Sequence, residues 1–212
     1  MGQAAYNTTI KISGSAVGFT GEATTDLGSN SFQITDDTKQ IFDRTVTPTV
    51  YDGGVPVATT DYKIDFLFGI IDFNVAPAGA VTIDGSYLPV SHIGGASSYT
   101  LNFNADVQDC SNFADASQNG GYRSKTITLI DASVDLTRFD DLNKQFKDYL
   151  ENRESFLLEI IPGGVNGTSA ARGWFTVENA SSQGDVGALE EEDLSFHLDG
   201  DANAVFSWRN TV

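Results

Sequence analysis

The chain has one cysteine, five prolines and two histidines among 212 residues, and only 12 lysines and arginines. A lone Cys110 closes no internal disulfide and supplies no paired zinc ligand. That excludes a disulfide scaffold and a cysteine-built zinc module. The shortage of cations against 29 Asp and Glu leaves a formal net charge of −17. A surface of that sign repels phosphate and lacks the basic footprint of a nucleic-acid-binding module. No run approaches the roughly 20 apolar residues of a spanning helix. Residues 1–14 are small and polar, not a basic start followed by an apolar stretch. The expectation is a chain without membrane association, made without export, in which the N-x-S/T sequences at Asn7, Asn166 and Asn179 meet no glycosylation machinery.

What is present suits a globular β protein. Apolar residues make up 40% of the chain beside 21 glycines, enough for a sizeable core and too much for intrinsic disorder. Length alone suits one large domain or two small ones. Residues 49–57 break at Asp52-Gly53-Gly54 with β-formers on both sides, a hairpin signal. Residues 62–74 alternate through Tyr62, Ile64 and Phe66, then Phe68-Gly69, then Ile71 and Phe73, a second hairpin. Residues 80–90 flank Asp84-Gly85, which predicts a third. Later strands are expected near 99–105, 125–130, 155–161, 174–178, 194–198 and 204–208, mostly with period two.

One segment has helical spacing. Phe139, Leu142, Phe146, Tyr149 and Leu150 recur on one face, which predicts an amphipathic helix over about 140–152, capped by Thr137 or Asp140. The fold class expected is mainly β: a β-sandwich or barrel with one flanking α-helix, preceded by an N-terminal β-meander. Residues 1–92 form the hairpin-rich part and 93–212 the part with the helix, as two domains or one continuous domain. Residues 106–123 are rich in Asp, Ser, Asn and Gly and too long for a tight turn.

Catalytic material is sparse. His92 and His197 lack a metal-type partner spacing, and no G-x-S-x-G, P-loop or H-E-x-x-H occurs. The segment Asp199-Gly200-Asp201-Ala202-Asn203 imitates the opening of a calcium loop. It then offers Ala204 where glycine is required and Asn210 where glutamate is required, and so reads as a turn. The acid pairs Asp36-Asp37 and Asp140-Asp141 lack any sign of a substrate cleft. The run Glu190-Glu191-Glu192-Asp193 reads as a solvated turn or an inter-subunit salt-bridge donor, and Trp174 and Trp208 as core residues. No catalytic residue, cofactor or metal is expected.

Read in chain order, several segments together form a pattern. They are Thr49-Val50-Tyr51-Asp52-Gly53-Gly54-Val55-Pro56-Val57, Asp61-Tyr62-Lys63-Ile64-Asp65 and Gly69-Ile70-Ile71-Asp72-Phe73. In the second half come Gly121-Tyr122, Asp135-Leu136-Thr137-Arg138-Phe139, Leu158-Glu159-Ile160-Ile161, Arg172-Gly173-Trp174-Phe175, Gly184-Asp185-Val186 and Leu194-Ser195-Phe196 with Asp199-Gly200. This order, over most of the chain, resembles the major tail-tube proteins of long, non-contractile-tailed bacteriophages.

The resemblance implies a structural virion protein and no enzyme. Six copies form a ring, rings stack into a tube, and inner sheets join into one barrel around a channel for genome and tape-measure protein. Tail-terminator and tail-tip proteins are the other implied partners; the genomic DNA passes through without specific binding. The implied place is the virion tail, with assembly in the host cytoplasm. By position, the assembly loop falls on residues 109–122, with Asp109, Asn112, Phe113, Asp115, Asn119 and Tyr122. The N-terminal arm falls on residues 1–6, with Gln3 and Tyr6. The alternative classes are another phage or surface β-sandwich, such as a decoration, tail-tip or carbohydrate-binding protein, and a small hydrolase with two converging carboxylates.

Overall fold

The computed structural model describes residues 8–94, 96–109, 125–139, 145–163, 167, 169–184, 189–200 and 206–210. Among these the chain is mainly β with one α-helix, as the periodicities predict. No helix there is long and apolar enough to cross a membrane. The chain divides into two compact units that alternate along the sequence. The first comprises Met1–Gly94, Ser155–Phe175 and Asp199–Val212, and the second comprises Gly95–Glu154 and Thr176–Leu198.

In the first unit a seven-stranded antiparallel sheet has the order β5-β4-β8-β2-β3-β7-β6. Its strands are β2 (Val17–Gly28), β3 (Ser31–Ile34), β4 (Thr49–Asp52), β5 (Val55–Pro56), β6 (Tyr62–Asp65), β7 (Ile70–Phe73) and β8 (Val81–Tyr87). The hairpin at Asp52-Gly53-Gly54 forms as expected: Asp52 pairs with Val55, and Gly53 and Gly54 take φ of 56° and 84°, the positive values a type I′ turn demands. The second hairpin also forms, with Tyr62 opposite Phe73 and Asp65 opposite Ile70. Its loop requires glycine at Gly69. There φ is +61°, and an added Cβ would lie 2.7 Å from the carbonyl oxygen of Gln40.

The third expected hairpin does not form. β8 runs straight through Asp84-Gly85 and pairs with β2 on one side and β4 on the other. Asp84 acts as a cross-strand anchor, accepting from the Gly21 amide and the Tyr51 hydroxyl. The hairpin β2–β3, not expected from the sequence, turns through Ser29 and Asn30, both at positive φ.

The unit's other sheet sets β1 (Thr9–Ser13) between β12 (Ser155–Ile161) and β9 (Val90–His92). Beyond β12 lies the start of β13 (Ser169–Gln183), which also pairs with β15 (Phe206–Asn210). The two sheets enclose a core containing Ile34, Phe42, Val50, Ile71 and Ile83 from one side, with Leu157, Ala170 and Trp174 from the other. Trp174 is thus core, as expected. Trp208, expected there as well, is 49% exposed on the marginal strand β15.

Two charged groups lie inside this unit. Arg44 pairs with Asp199 and stacks 4.2 Å over the Trp174 ring, and Ser155 also donates to Asp199. The hydrogen bonds from Arg44 and Ser155 hold the Asp199 carboxyl below its ordinary value. Deeper, Glu159 accepts from Arg172 Nε at 2.7 Å and lies 2.8 Å from Lys11 Nζ. Arg172 also donates to the Leu67 carbonyl and covers the Phe68 ring. Burial pushes the Glu159 carboxyl up, but the Arg172 guanidinium and the Lys11 ammonium outweigh it, and the net shift is below the ordinary 4.5.

The shift fixes the pH dependence. A native carboxyl below its unfolded value stabilises the fold fully above the unfolded value, and loses that contribution as pH falls through the native one. Resistance of the wild type to urea should therefore fall on acidification below about pH 4.5. Glu159→Gln should be less stable at neutral pH and show a shallower acid limb. Identical acid limbs would remove Glu159 from the account.

The second unit sets three strands side by side: β10 (Ala96–Asp109), β11 (Lys125–Phe139) and β14 (Glu191–Leu198). The latter part of β13, from Thr176, lies beside β14. Ala132, Val134, Leu136, Leu194 and Phe196 point to the covered face. The one helix, α1 (Gln145–Asn152), lays Phe146 on that face, with its ring centroid 5.3 Å from that of Phe196. An eight-residue helix is marginal alone. Burying Phe146, worth about 1.5–3 kcal/mol, is what fixes it.

Three expectations are corrected here. Thr137 and Phe139 belong to the end of β11 and neither caps nor lines the helix, and Leu150 is 37% exposed. Residues 140–144, including the other expected cap Asp140, lie outside the described residues. The acidic run is not a turn: Glu191–Asp193 opens β14, with Glu192 buried against an equally buried Arg138. Nε and Nη2 of Arg138 both reach Glu192 Oε2 at 2.7 Å.

Candidate assembly surface

The hairpin β10–β11 of the second unit has two contrasting faces, and its register defines both. Tyr99, Leu101, Phe103 and Ala105 oppose Leu136, Val134, Ala132 and Ile130. A bulge between Asp106 and Val107 restores the alternation one residue later on β11, so that Val107 opposes Ile127. These residues therefore share one face. Near β14 that face is covered: Val134 is 0% and Leu136 2% exposed. Farther along it is more exposed, with Val107 at 53%, Ile127 at 60% and Ile130 at 70%. Isolated exposed apolar residues are ordinary, whereas a run on one face of paired strands marks a contact surface.

The opposite face is polar and carries several carboxylates. β10 presents Thr100, Asn102, Asn104 and Asp106; β11 presents Asp131, Ser133, Asp135 and Thr137; β14 presents Asp193, Ser195 and His197. Neutral donors hold these acids in register. The Thr137 hydroxyl donates to Asp193 at 2.8 Å and the Ser195 hydroxyl to Asp135 at 2.9 Å. His197 Nε2 lies 2.7 Å from Glu178 Oε2, and its Nδ1 3.9 Å from Asp131. Since the contacts lie on opposite sides of the ring, His197 joins strands and does not gather ligands around a metal. In the first unit several acids are met by lysine or arginine, as at Lys39 with Glu22 and Asp36, and at Arg209 with Asp65.

β10 is hydrogen-bonded along one side only, to β11, and β9 along one side only, to β1. Each is an open margin among the described residues, and at 14 residues β10 is long for one.

Of the loop residues named from the sequence, Asp109 ends β10, exposed and opposite Lys125. Asn112, Phe113, Asp115, Asn119 and Tyr122 lie outside the described residues, as do Gln3 and Tyr6 of the arm and Cys110. His92 is exposed on β9. Asp36 caps a 3-10 turn by accepting from Thr38, and that bond and Lys39 lower its pKa. No group of three or more metal-ligating side chains occurs among the described residues. The exposed strip went unread because alternation along β10 and β11 is the same whether a face is covered or open.

No family model matches the chain, and no curated protein matches it. Among solved structures, the chain is similar to one from the tail of an empty gene transfer agent particle obtained by helical refinement with C6 symmetry. That match has 17% identity and a TM-score of 0.46, and covers 58% of this chain and 87% of that one. A second, from the virion of a native gene transfer agent particle, has 17% identity and a TM-score of 0.46 over 57% of this chain and 88% of that one.

Proposed function

We propose that this chain is a structural virion protein that polymerises with its own copies into stacked rings, six to a ring, forming a tail tube for the genome. Its place is the virion tail, with assembly in the host cytoplasm. Tape-measure, tail-terminator and tail-tip proteins complete its partners. The observation that carries the reading is the β10–β11 hairpin, among the described residues a long margin with exposed Val107, Ile127 and Ile130 on one face. A monomer usually blunts such a margin. A closed ring of copies removes it, making sheet completion and assembly one event. The sequence resemblance to tail-tube proteins over most of the chain supports the same reading.

The polar face suits a channel wall. Duplex DNA carries a charge about every 1.7 Å, and cations repeated in each ring would hold it through many phosphate contacts. On this face Asp135 and Asp193 are held by hydroxyls and Asp131 by the Ala132 amide, neutral donors that leave each its negative field. Replacing these three with Lys is expected to slow genome release several-fold at low salt, the effect shrinking as ionic strength rises. A fluorescent DNA-release assay on particles carrying the variant reads this. An unchanged rate would remove that face from the channel.

Negative-stain microscopy of the purified protein over a concentration series tests the function itself. Rings or tubes of uniform diameter are expected. Monomers at every concentration, or a closed trimer that never stacks, would rule the reading out.

A further inference from the structure

The first unit contains a cleft of about 770 Å³ between its two sheets, within the size range of small-molecule sites. Its floor is the Glu159 network. Oε1 of Glu159 takes Arg172 through two nitrogens, at 2.7 and 2.6 Å. Oε2 is buried and paired at 2.8 Å with the Lys11 ammonium, and Lys11 is the partly exposed member of the network.

Gln33 and Gln40, also in the wall, each donate Nε2 to a backbone carbonyl, of Phe68 and Ile34. Each keeps its amide oxygen for another donor. Lys11 and Arg172 balance Glu159 and Asp37, so the lining has no net charge, unlike the chain as a whole. Balanced charge gives an ionic guest no net attraction. Amide oxygens beside one ammonium call for groups that both donate and accept, which is what hydroxyls do. Val90 and Ile161 in the same lining, both partly exposed, offer an apolar surface to the C–H face of a ring.

We infer that this cleft binds a neutral polyhydroxylated ligand, a saccharide, with its hydroxyls on Lys11, Gln33 and Gln40. The inference is independent of tube formation, since every residue involved lies in one unit of one chain.

The test titrates ¹⁵N-labelled protein, at concentrations where it is monomeric, with maltose, lactose and N-acetylglucosamine in turn. Saturable shifts in the side-chain amide signals of Gln33 and Gln40 are expected with at least one sugar. Thr35→Trp, at an exposed position on the lining, should block the cleft and abolish the shifts without changing the melting temperature. Gln33→Leu, which keeps the side-chain volume, should weaken binding at least tenfold. Absence of saturable shifts with all three sugars up to about 50 mM, weaker than even a millimolar site, would overturn the proposal. Unaltered binding by Thr35→Trp would overturn it too. Protection of the Gln33 and Gln40 signals only on polymerisation, with no sugar bound, would give the cleft to a second copy and equally refute it.

Discussion

Ile127→Asp combined with Ile130→Asp is expected to abolish polymerisation while leaving the circular dichroism spectrum and melting temperature near wild type. The two side chains are 60% and 70% exposed in the isolated chain, so replacing them costs the monomer little, within about 0.5 kcal/mol each. In an assembly that covers the strip, each isoleucine contributes about 1.5–3 kcal/mol by leaving water. Losing both raises the concentration needed for assembly by about two to four orders of magnitude. Burying two carboxylates in their place adds a further penalty. Sedimentation across a concentration series reads the outcome. Tubes formed by the double variant at the wild-type concentration would show that the strip is not the contact surface, whatever the chain assembles into.

Arg138→Met is expected to be the most damaging single change inside the second unit. Arg138 is 2% and Glu192 1% exposed, and removing the arginine leaves a buried carboxylate whose remaining cation, Lys147, is 3.9 Å away. Breaking such a pair from one side costs about 3–5 kcal/mol, a large share of the roughly 5–15 kcal/mol that holds a domain together. The guanidinium also lies 5.0 Å from the Phe146 ring centroid, so helix docking should suffer with it. Arg138→Met with Glu192→Leu, which removes both charges, should be more stable than Arg138→Met alone. Urea denaturation measures both. A loss under about 1 kcal/mol for the single variant would mean that water reaches Glu192 after all, since exposed pairs are worth no more than that.

The two positions also mark where a sequence stops being readable. Asp52-Gly53-Gly54 could be read because a type I′ turn is local chemistry: two residues at positive φ between β-formers. Asp84-Gly85 shows the same dipeptide in the middle of a strand. There the glycine is needed because the Phe19 ring and Pro48 would come within 3.2 and 3.3 Å of a Cβ, a reason that comes from distant residues. Glu192 was unreadable for the same cause, its partner lying 54 residues away. Phe139 fits period two and helical spacing equally, and only the pairing of β11 with β14 decides between them. The fold class was legible because alternation recurs through most of the chain. Which face stays exposed was not, since alternation along β10 and β11 is the same on a covered strand as on an open one.

The pairing of β1 with β12 has a consequence for synthesis. Lys11 leaves the ribosome well before its partner residue Glu159. At translation speeds of 5–20 residues per second, β1 waits roughly seven to thirty seconds for its match. The hairpins of the seven-stranded sheet have all their partners within the first ninety residues and need not wait. A nascent chain thus folds its hairpins while β1 still lacks the partner on one of its two sides. A chain released before β12 is made never completes that sheet, and the order of synthesis itself marks a truncated product by its unpaired first strand.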